Sequence, residues 1–259
     1  MTTATLPHRV TPARVLRSEW HKFWTLRSTW ITLVVTSALT AAMGAGLGAA
    51  YDGSGEGGMD TVMFVLLGTQ FATINLGVLG ILATAGEYST GQIRATMTAV
   101  PRRLPVLWSK AAVLAAVALP LTLATNLLTF PLAQTFLSGT DQAASFGDPG
   151  VLRALAGNAA GLTLLAVLAL GIGALLRSVP TAIGAFIGIV MILPEILAML
   201  PYAFVEDAVR YFPGKALEAL TTAQPMPGTA APGAALLAMT LWTAAVLTLA
   251  AVALRRRDV

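Results

Sequence analysis

A chain of 259 residues with 56% hydrophobic and 11% charged side chains, and a mean hydropathy of +0.76, reads as a membrane protein, and its long apolar stretches leave no room for a separate catalytic domain of ~100 residues. Cysteine is absent, which excludes disulfides and thiolate chemistry, and the two histidines, His8 and His21, both precede the first apolar stretch, so an intramembrane metalloprotease or Ser-His protease lacks its histidine. The net charge of +4 is accounted for by basic loops between apolar stretches, and with no basic–aromatic surface module in view the charge does not indicate nucleic acid.

In chain order, residues 1–7 read as a disordered tail and residues 12–26 as an interfacial helix. Ala13, Leu16, Trp20, Phe23 and Trp24 recur at helical spacing on one face, with Arg14, Arg17, Ser18, His21, Lys22 and Thr25 on the other. A basic face opposite Trp and Phe suits a helix lying in the headgroup layer; an ordinary basic flank with aromatic anchors is the alternative. Six apolar spans follow, about 29–50, 61–85, 111–137, 152–176, 178–200 and 233–254, each at least roughly the 20 residues that cross ~30 Å of hydrocarbon. The core of the first span, at roughly 20 residues, exceeds the 7–15 of a cleaved signal peptide, so it is expected to be retained.

The charges between spans set the expected topology. With the N-terminus in the cytoplasm, 13 of the 16 Lys and Arg fall inside and only Arg153, Arg210 and Lys215 outside, while most acids fall outside. Both termini are then cytoplasmic. The outer loop 51–60 is Gly-rich and acidic, and 138–150 ends in the turn sequence Gly147-Asp148-Pro149-Gly150. The third outer connection, 201–232, contains five prolines; it either folds back as short broken helices or remains a solvated loop.

The inner loop 86–109 contains a short helix-compatible stretch, about residues 92–100, entered through Gly91 and ended by Pro101. Within the spans, Gln70, Asn75, Asn126, Gln134 and Asn158 are amides that need partners in hydrocarbon, either as interhelical links or as the lining of a translocation path. Gln70, Asn75 and Asn126 are the path candidates, and Gln70, ~15 Å along a helix from Asp60, comes nearest mid-membrane. Gly44 and Gly48, Gly157 and Gly161, and Gly184 and Gly188 are small-residue pairs for close helix packing. Glu195 is the one acid inside an apolar run, but at ~27 Å past Arg177 it belongs near the outer interface, where Pro194 marks an expected helix break. Neither Leu137-Ser138-Gly139-Thr140-Asp141-Gln142 nor Pro213-Gly214-Lys215-Ala216 makes a nucleotide-binding loop, so ATP hydrolysis in this chain is not expected.

Arg14-Val15-Leu16-Arg17-Ser18-Glu19-Trp20-His21-Lys22 leading to Arg27-Ser28-Thr29-Trp30, and Gly86-Glu87-Tyr88-Ser89-Thr90-Gly91-Gln92-Ile93-Arg94-Ala95-Thr96 followed by Val100-Pro101-Arg102-Arg103, resemble the permease subunits of ABC-2 transporters, in the style of actinobacterial members. The resemblance covers essentially the whole chain, and its Glu-x-x-x-Gly-x-x-Arg stretch is the more specific part. It implies an all-α integral membrane protein of a bacterial plasma membrane. Residues 1–28 would be the cytoplasmic tail and interfacial helix, 29–254 one six-helix transmembrane domain, and 255–259 a cytoplasmic tail. It further implies a cytoplasmic coupling helix between spans two and three that docks on a separate ATP-binding subunit, with Glu87, Gly91, Arg94 and Thr96 as coupling residues. Trp20, Phe23 and Trp24 would anchor the interfacial helix. Two permease chains, alike or different, and two ATPase chains would form an exporter; ATP and Mg would bind the ATPase, and this chain would carry no cofactor or metal of its own. A proton- or ion-coupled secondary transporter is the alternative, with Glu195 as its ionisable residue; a non-transporting scaffold or immunity protein is a further one.

Overall fold

Helix formation begins at Thr11, whose extended backbone and side-chain oxygen cap the first turn of α1 (Pro12–Thr25), with Pro12 where no N–H is needed. A computed structural model describes residues 11–53, 59–99 and 103–256; these are helical, with no strand among them. The expected tail at residues 1–7 lies outside the described residues, as do 54–58 of the first outer loop. After Leu26 in extended backbone, α2 runs Arg27–Ala50, followed by α3 (Thr61–Val65), α4 (Thr69–Ser89), α5 (Gln92–Ala99), α6 (Leu104–Leu137) and α7 (Val151–Leu176). Then come α8 (Val179–Ile187), a π turn (Gly188–Ile192), α9 (Leu193–Ala198), α10 (Ala203–Val209), α11 (Pro213–Thr221) and α12 (Pro232–Arg256). Six of these are long and apolar enough to cross a bilayer: α2, α4, α6, α7, the continuous stretch Val179–Ala198, and α12. They mark the chain as a multi-pass membrane protein.

The centre of the bundle is α7, buried along most of its length and packed against α4, α6 and α12. Its contact with α4 is a backbone approach allowed by small residues: a Cβ on Gly80 would lie 2.2 Å from the Ala166 carbonyl oxygen. At the same seam the Thr84 hydroxyl donates to the Leu170 carbonyl at 2.9 Å. The outer helix α2 buries only a narrow stripe, Thr29, Leu33, Thr36, Thr40, Gly44 and Gly48, and turns Ile31, Val34 and Val35 outward, as lipid exposure requires. Of the three glycine pairs, Gly44 and Gly48 pack on α3 and α6, and Gly157 and Gly161 on α11, whereas Gly184 and Gly188 face open space.

Several boundaries differ from the expected ones. The span expected at 61–85 is broken: Asp60 caps α3 by accepting from Val62 N and Met63 N at 3.0 and 3.1 Å, and a turn at Leu66–Gly68 separates α3 from α4. Gly68 sits there against the α2 backbone at Thr40, at a spacing that leaves no room for a Cβ. α4 then runs past 85, so Glu87 is helical rather than part of a loop. The span expected at 111–137 begins at Leu104, which takes Lys110 from loop into helix; its 34 residues make ~51 Å, longer than ~30 Å of hydrocarbon. At Pro194 the expected break is replaced by the π turn before it. Proline cannot donate to the Val190 carbonyl, and the wider turn carries the helix past the missing bond. The connection 201–232 takes the folded-back form: α11 buries Ala216, Leu217, Ala219 and Leu220 against α7 and α12.

The α4–α7 seam sets an expectation. Gly80→Ala should cost about 1–3 kcal/mol of stability, seen as a lower unfolding temperature in detergent, whereas Gly184→Ala should leave it unchanged or raised.

Candidate functional site

At the end of the bundle where α1 lies, four charged side chains from three helices meet. α1 supplies Glu19 and Lys22, the last turn of α4 supplies Glu87, and the second turn of α6 supplies Lys110. Lys110 Nζ donates to Glu19 Oε2 at 2.8 Å and to Glu87 Oε1 at 2.5 Å, and Lys22 pairs with the same Glu87 oxygen. Glu87 is 4% exposed and Lys110 7%, so neither charge is solvated. Two ammonium and two carboxylate groups balance. Desolvation of Glu19, Glu87 and Lys110 is offset by these pairings, which holds the three helices in one relative position.

Glu19 reaches this cluster because the packed face of α1 is Val15, Glu19 and Phe23, spaced one turn apart. The expected apolar stripe therefore divides. Phe23 is buried and Trp24 half-buried, while Leu16 and Trp20 remain exposed, 42% and 40%, on the outward side. Trp24 packs on Trp30 in a tilted contact with ring centroids 4.6 Å apart and makes edge contacts with Trp20 and Phe23. Nothing in the sequence pairs Glu19 with Lys110. The available signal is a Glu at i+4 from Val15 and i−4 from Phe23, on the core side of an amphipathic helix.

Beyond Glu87 the chain turns sharply. Gly91 has φ +72° with open space around it, so glycine is required there by backbone conformation rather than by packing. The turn launches α5, which agrees with the helix expected at 92–100. Ile93 is buried and anchors it, and Gln92, Ala95 and Thr98 face outward. Thr96 is half-buried and donates to Gln92 O at 3.3 Å. The side chain of Arg94 lies outside the described residues, as do Val100, Pro101 and Arg102. Of the expected coupling residues, Gly91 and Thr96 thus sit at or on α5, while Glu87 is buried beneath it in the charge cluster.

The candidate path residues separate in the same way. Asn126 is buried: its amide donates to the Leu155 carbonyl and to Asn158 Oδ1, both at 3.0 Å, and Asn158 donates to Thr221 and Thr69 at 2.9 and 3.3 Å. Asn126 thus links α6 to α7, and through Asn158 to α4 and α11. Gln134 pins the connection 138–150 by accepting from Ala144 N at 2.9 Å. Asn75 Nδ2 is buried with no hydrogen-bond partner among the described residues. Gln70 is exposed and lines a cavity of about 280 Å³ between α4, the π turn and α11, which also contains Glu195, Lys215 and Glu218. Two residues singled out separately in the sequence, Gln70 and Glu195, thus share one cavity.

Lys215 bonds Glu195 at 2.6 Å and Glu218 at 3.4 Å. Burial disfavours the Lys215 ammonium, but the two carboxylates outweigh it and hold its pKa above the ordinary lysine value. The shorter bond goes to Glu195. Glu218 keeps the weaker share, and burial holds its carboxyl above the ordinary range against the pull of Lys215. Among the described residues no group of three His, Cys, Asp or Glu could hold a metal ion. No protein-family model and no curated protein matches the chain.

Lys110→Met should cost about 3–5 kcal/mol by stranding Glu19 and leaving one Lys22 charge against two buried carboxylates, with part recovered in the Glu87→Gln/Lys110→Met double variant; unfolding in detergent reads both. At the cavity, the native state holds the Glu218 proton more tightly than the unfolded chain does. Stability should therefore fall as pH rises from the ordinary carboxyl range through the raised value, and Glu218→Gln should flatten that fall in unfolding temperatures measured across pH.

Proposed function

We propose that the chain is the permease subunit of an ABC-2 type exporter, working with a separate ATP-binding subunit and a second permease chain in a bacterial plasma membrane. The observation that carries the reading is α5: an eight-residue helix between two spans, set off by a left-handed glycine, at the same end as the amphipathic α1. A short helix anchored outside the spans by buried Ile93, with Gln92, Ala95 and Thr98 outward, is suited to sit in a groove of a partner. In this reading the basic end, carrying α1, α5 and the Arg255 and Arg256 end of α12, is cytoplasmic, following the distribution of Lys and Arg.

Glu87 then acts as a positioning residue. It ties the end of α4, from which α5 departs, to α1 and α6, so that movement of α5 is passed to three helices at once. The Gln70 cavity, near the opposite end, supports a path for an amphipathic or lipophilic cargo. Two states coupled between the ATPase groove and that cavity would constitute allostery in the strict sense.

A second reading, an ion- or proton-coupled transporter, draws on Glu195 and Lys215 standing in the same cavity as Gln70. One experiment separates the two. Purified in mild detergent from its host, the chain should bring down a soluble P-loop ATPase in about equal amount, and lose it when residues 92–99 are replaced by a Gly-Ser linker that spares Glu87. A folded chain that never recovers an ATPase, with transport abolished by Glu195→Gln, would overturn the permease reading in favour of the second.

A further inference from the structure

Between α1, α2 and α6 lies an open cleft of about 510 Å³, walled by Trp20, Trp24 and Trp30 and extending to Leu33, Ser37 and Pro120. From Trp30 to Ser37 it follows α2 for ~10 Å into the apolar span. Its wall offers almost nothing polar. Ser37, the one hydroxyl lining it, is bonded to Thr125 at 3.0 Å, and the Trp30 indole N–H donates to the Trp24 carbonyl at 3.0 Å. The three rings are fixed against one another, yet Trp20 and Trp30 remain 40% and 50% exposed. A rigid aromatic wall beside membrane spans, whose polar groups are a few indole N–H donors and one hydroxyl, suits a hydrocarbon chain better than a polar solute.

The charge beside the cleft is of one sign. Arg17 lies one helical turn before Trp20, and Arg27 one turn before Trp30. Both are exposed, and neither makes an ion pair or hydrogen bond among the described residues. Among the described residues, the acids near this end, Glu19 and Glu87, are committed to Lys110 and Lys22 and leave nothing to neutralise the arginines. We propose that the cleft is a binding site for an anionic phospholipid of the surrounding bilayer, its acyl chain along the tryptophan wall and its phosphate taken by Arg17 and Arg27. The arginine fork suits phosphate oxygens, and a basic residue at a membrane surface favours an anionic over a zwitterionic headgroup by about fivefold. This assignment stands on the membrane fold and holds whether or not the chain couples to an ATPase.

Trp108 and Trp242 are the other two of the five tryptophans, so Trp108→Phe/Trp242→Phe confines fluorescence to the cleft. The full chain carrying that pair is reconstituted in phosphatidylcholine vesicles containing a small fraction of lipid with brominated acyl chains, either phosphatidylglycerol or phosphatidylcholine. Brominated phosphatidylglycerol should quench as though enriched at least about fivefold over brominated phosphatidylcholine at the same fraction. Arg17→Gln/Arg27→Gln should make the two equal without loss of folding, because neither arginine has a partner to lose. Ala116→Phe, which fills the cleft, should weaken quenching by both. Equal quenching before any arginine is changed would reduce the cleft to ordinary boundary contact and overturn the proposal. A preference that survives the double arginine change would overturn the assignment of the phosphate to Arg17 and Arg27.

Discussion

Lys110 is buried, and the arrangement of one end of this molecule follows from how its charge is met. An ammonium buried alone costs several kcal/mol; bonded to Glu19 and Glu87 it can stay charged, but only while α1 and the end of α4 are both in place. Lys22 completes the balance from the exposed side. The consequence runs outward through the structure. α1 must turn Glu19 inward, which turns Trp20 outward; α4 must continue as helix to Glu87, which places the Gly91 turn and α5 immediately beyond the cluster. A helix that the sequence reads as interfacial is thereby locked to two of the spans.

The opposite end is held mainly by hydrogen bonds of amides, hydroxyls and one carboxylate instead. Asn126 and Asn158 link α6 and α7 to Thr69 of α4 and Thr221 of α11, and the second oxygen of Asp60 accepts from Ala223 N and Gln224 N, both at 2.9 Å. Between the two polar ends α4 and α7 meet through small residues without charge. The cavity with Gln70, Glu195, Lys215 and Glu218 opens where this packing gives way, beside the π turn that Pro194 imposes. In the proposed transporter the charge cluster is the rigid input and this looser region the part free to change shape.

The six apolar spans were legible because hydrocarbon demands a run of apolar residues of fixed length, and five-residue or longer errors arose only where another constraint acted. The break at Leu66–Gly68 is invisible to hydropathy, since Val65, Leu66 and Leu67 are as apolar as their neighbours; it is set by contact with α2 at Thr40. Lys110 resembled a loop residue because a lone lysine ordinarily marks the end of a span, and only its two partners, 91 and 23 residues away in sequence, make it a helix-interior residue. Likewise Glu87 and Glu19 could not be paired from one sequence. The α5 helix was legible from local chemistry alone, Gly91 before and Pro101 after. Gln70 and Glu195 were each legible as costly residues, while their meeting with Lys215 depends on α11 folding back, for which the sequence left two outcomes open.

In the proposed permease, α5, which departs from the helix end fixed by the charge cluster, is the surface through which this chain meets a motor. The absence of native cysteine lets a single thiol at Ala95, exposed on α5, report its neighbour directly. A cysteine-linked photoactivatable cross-linker at that position, irradiated in native membranes, should give one dominant adduct, and mass spectrometry should identify it as a P-loop ATPase. A chain that inserts and labels at residue 95 but gives no protein adduct, or cross-links only to lipid, would contradict the account.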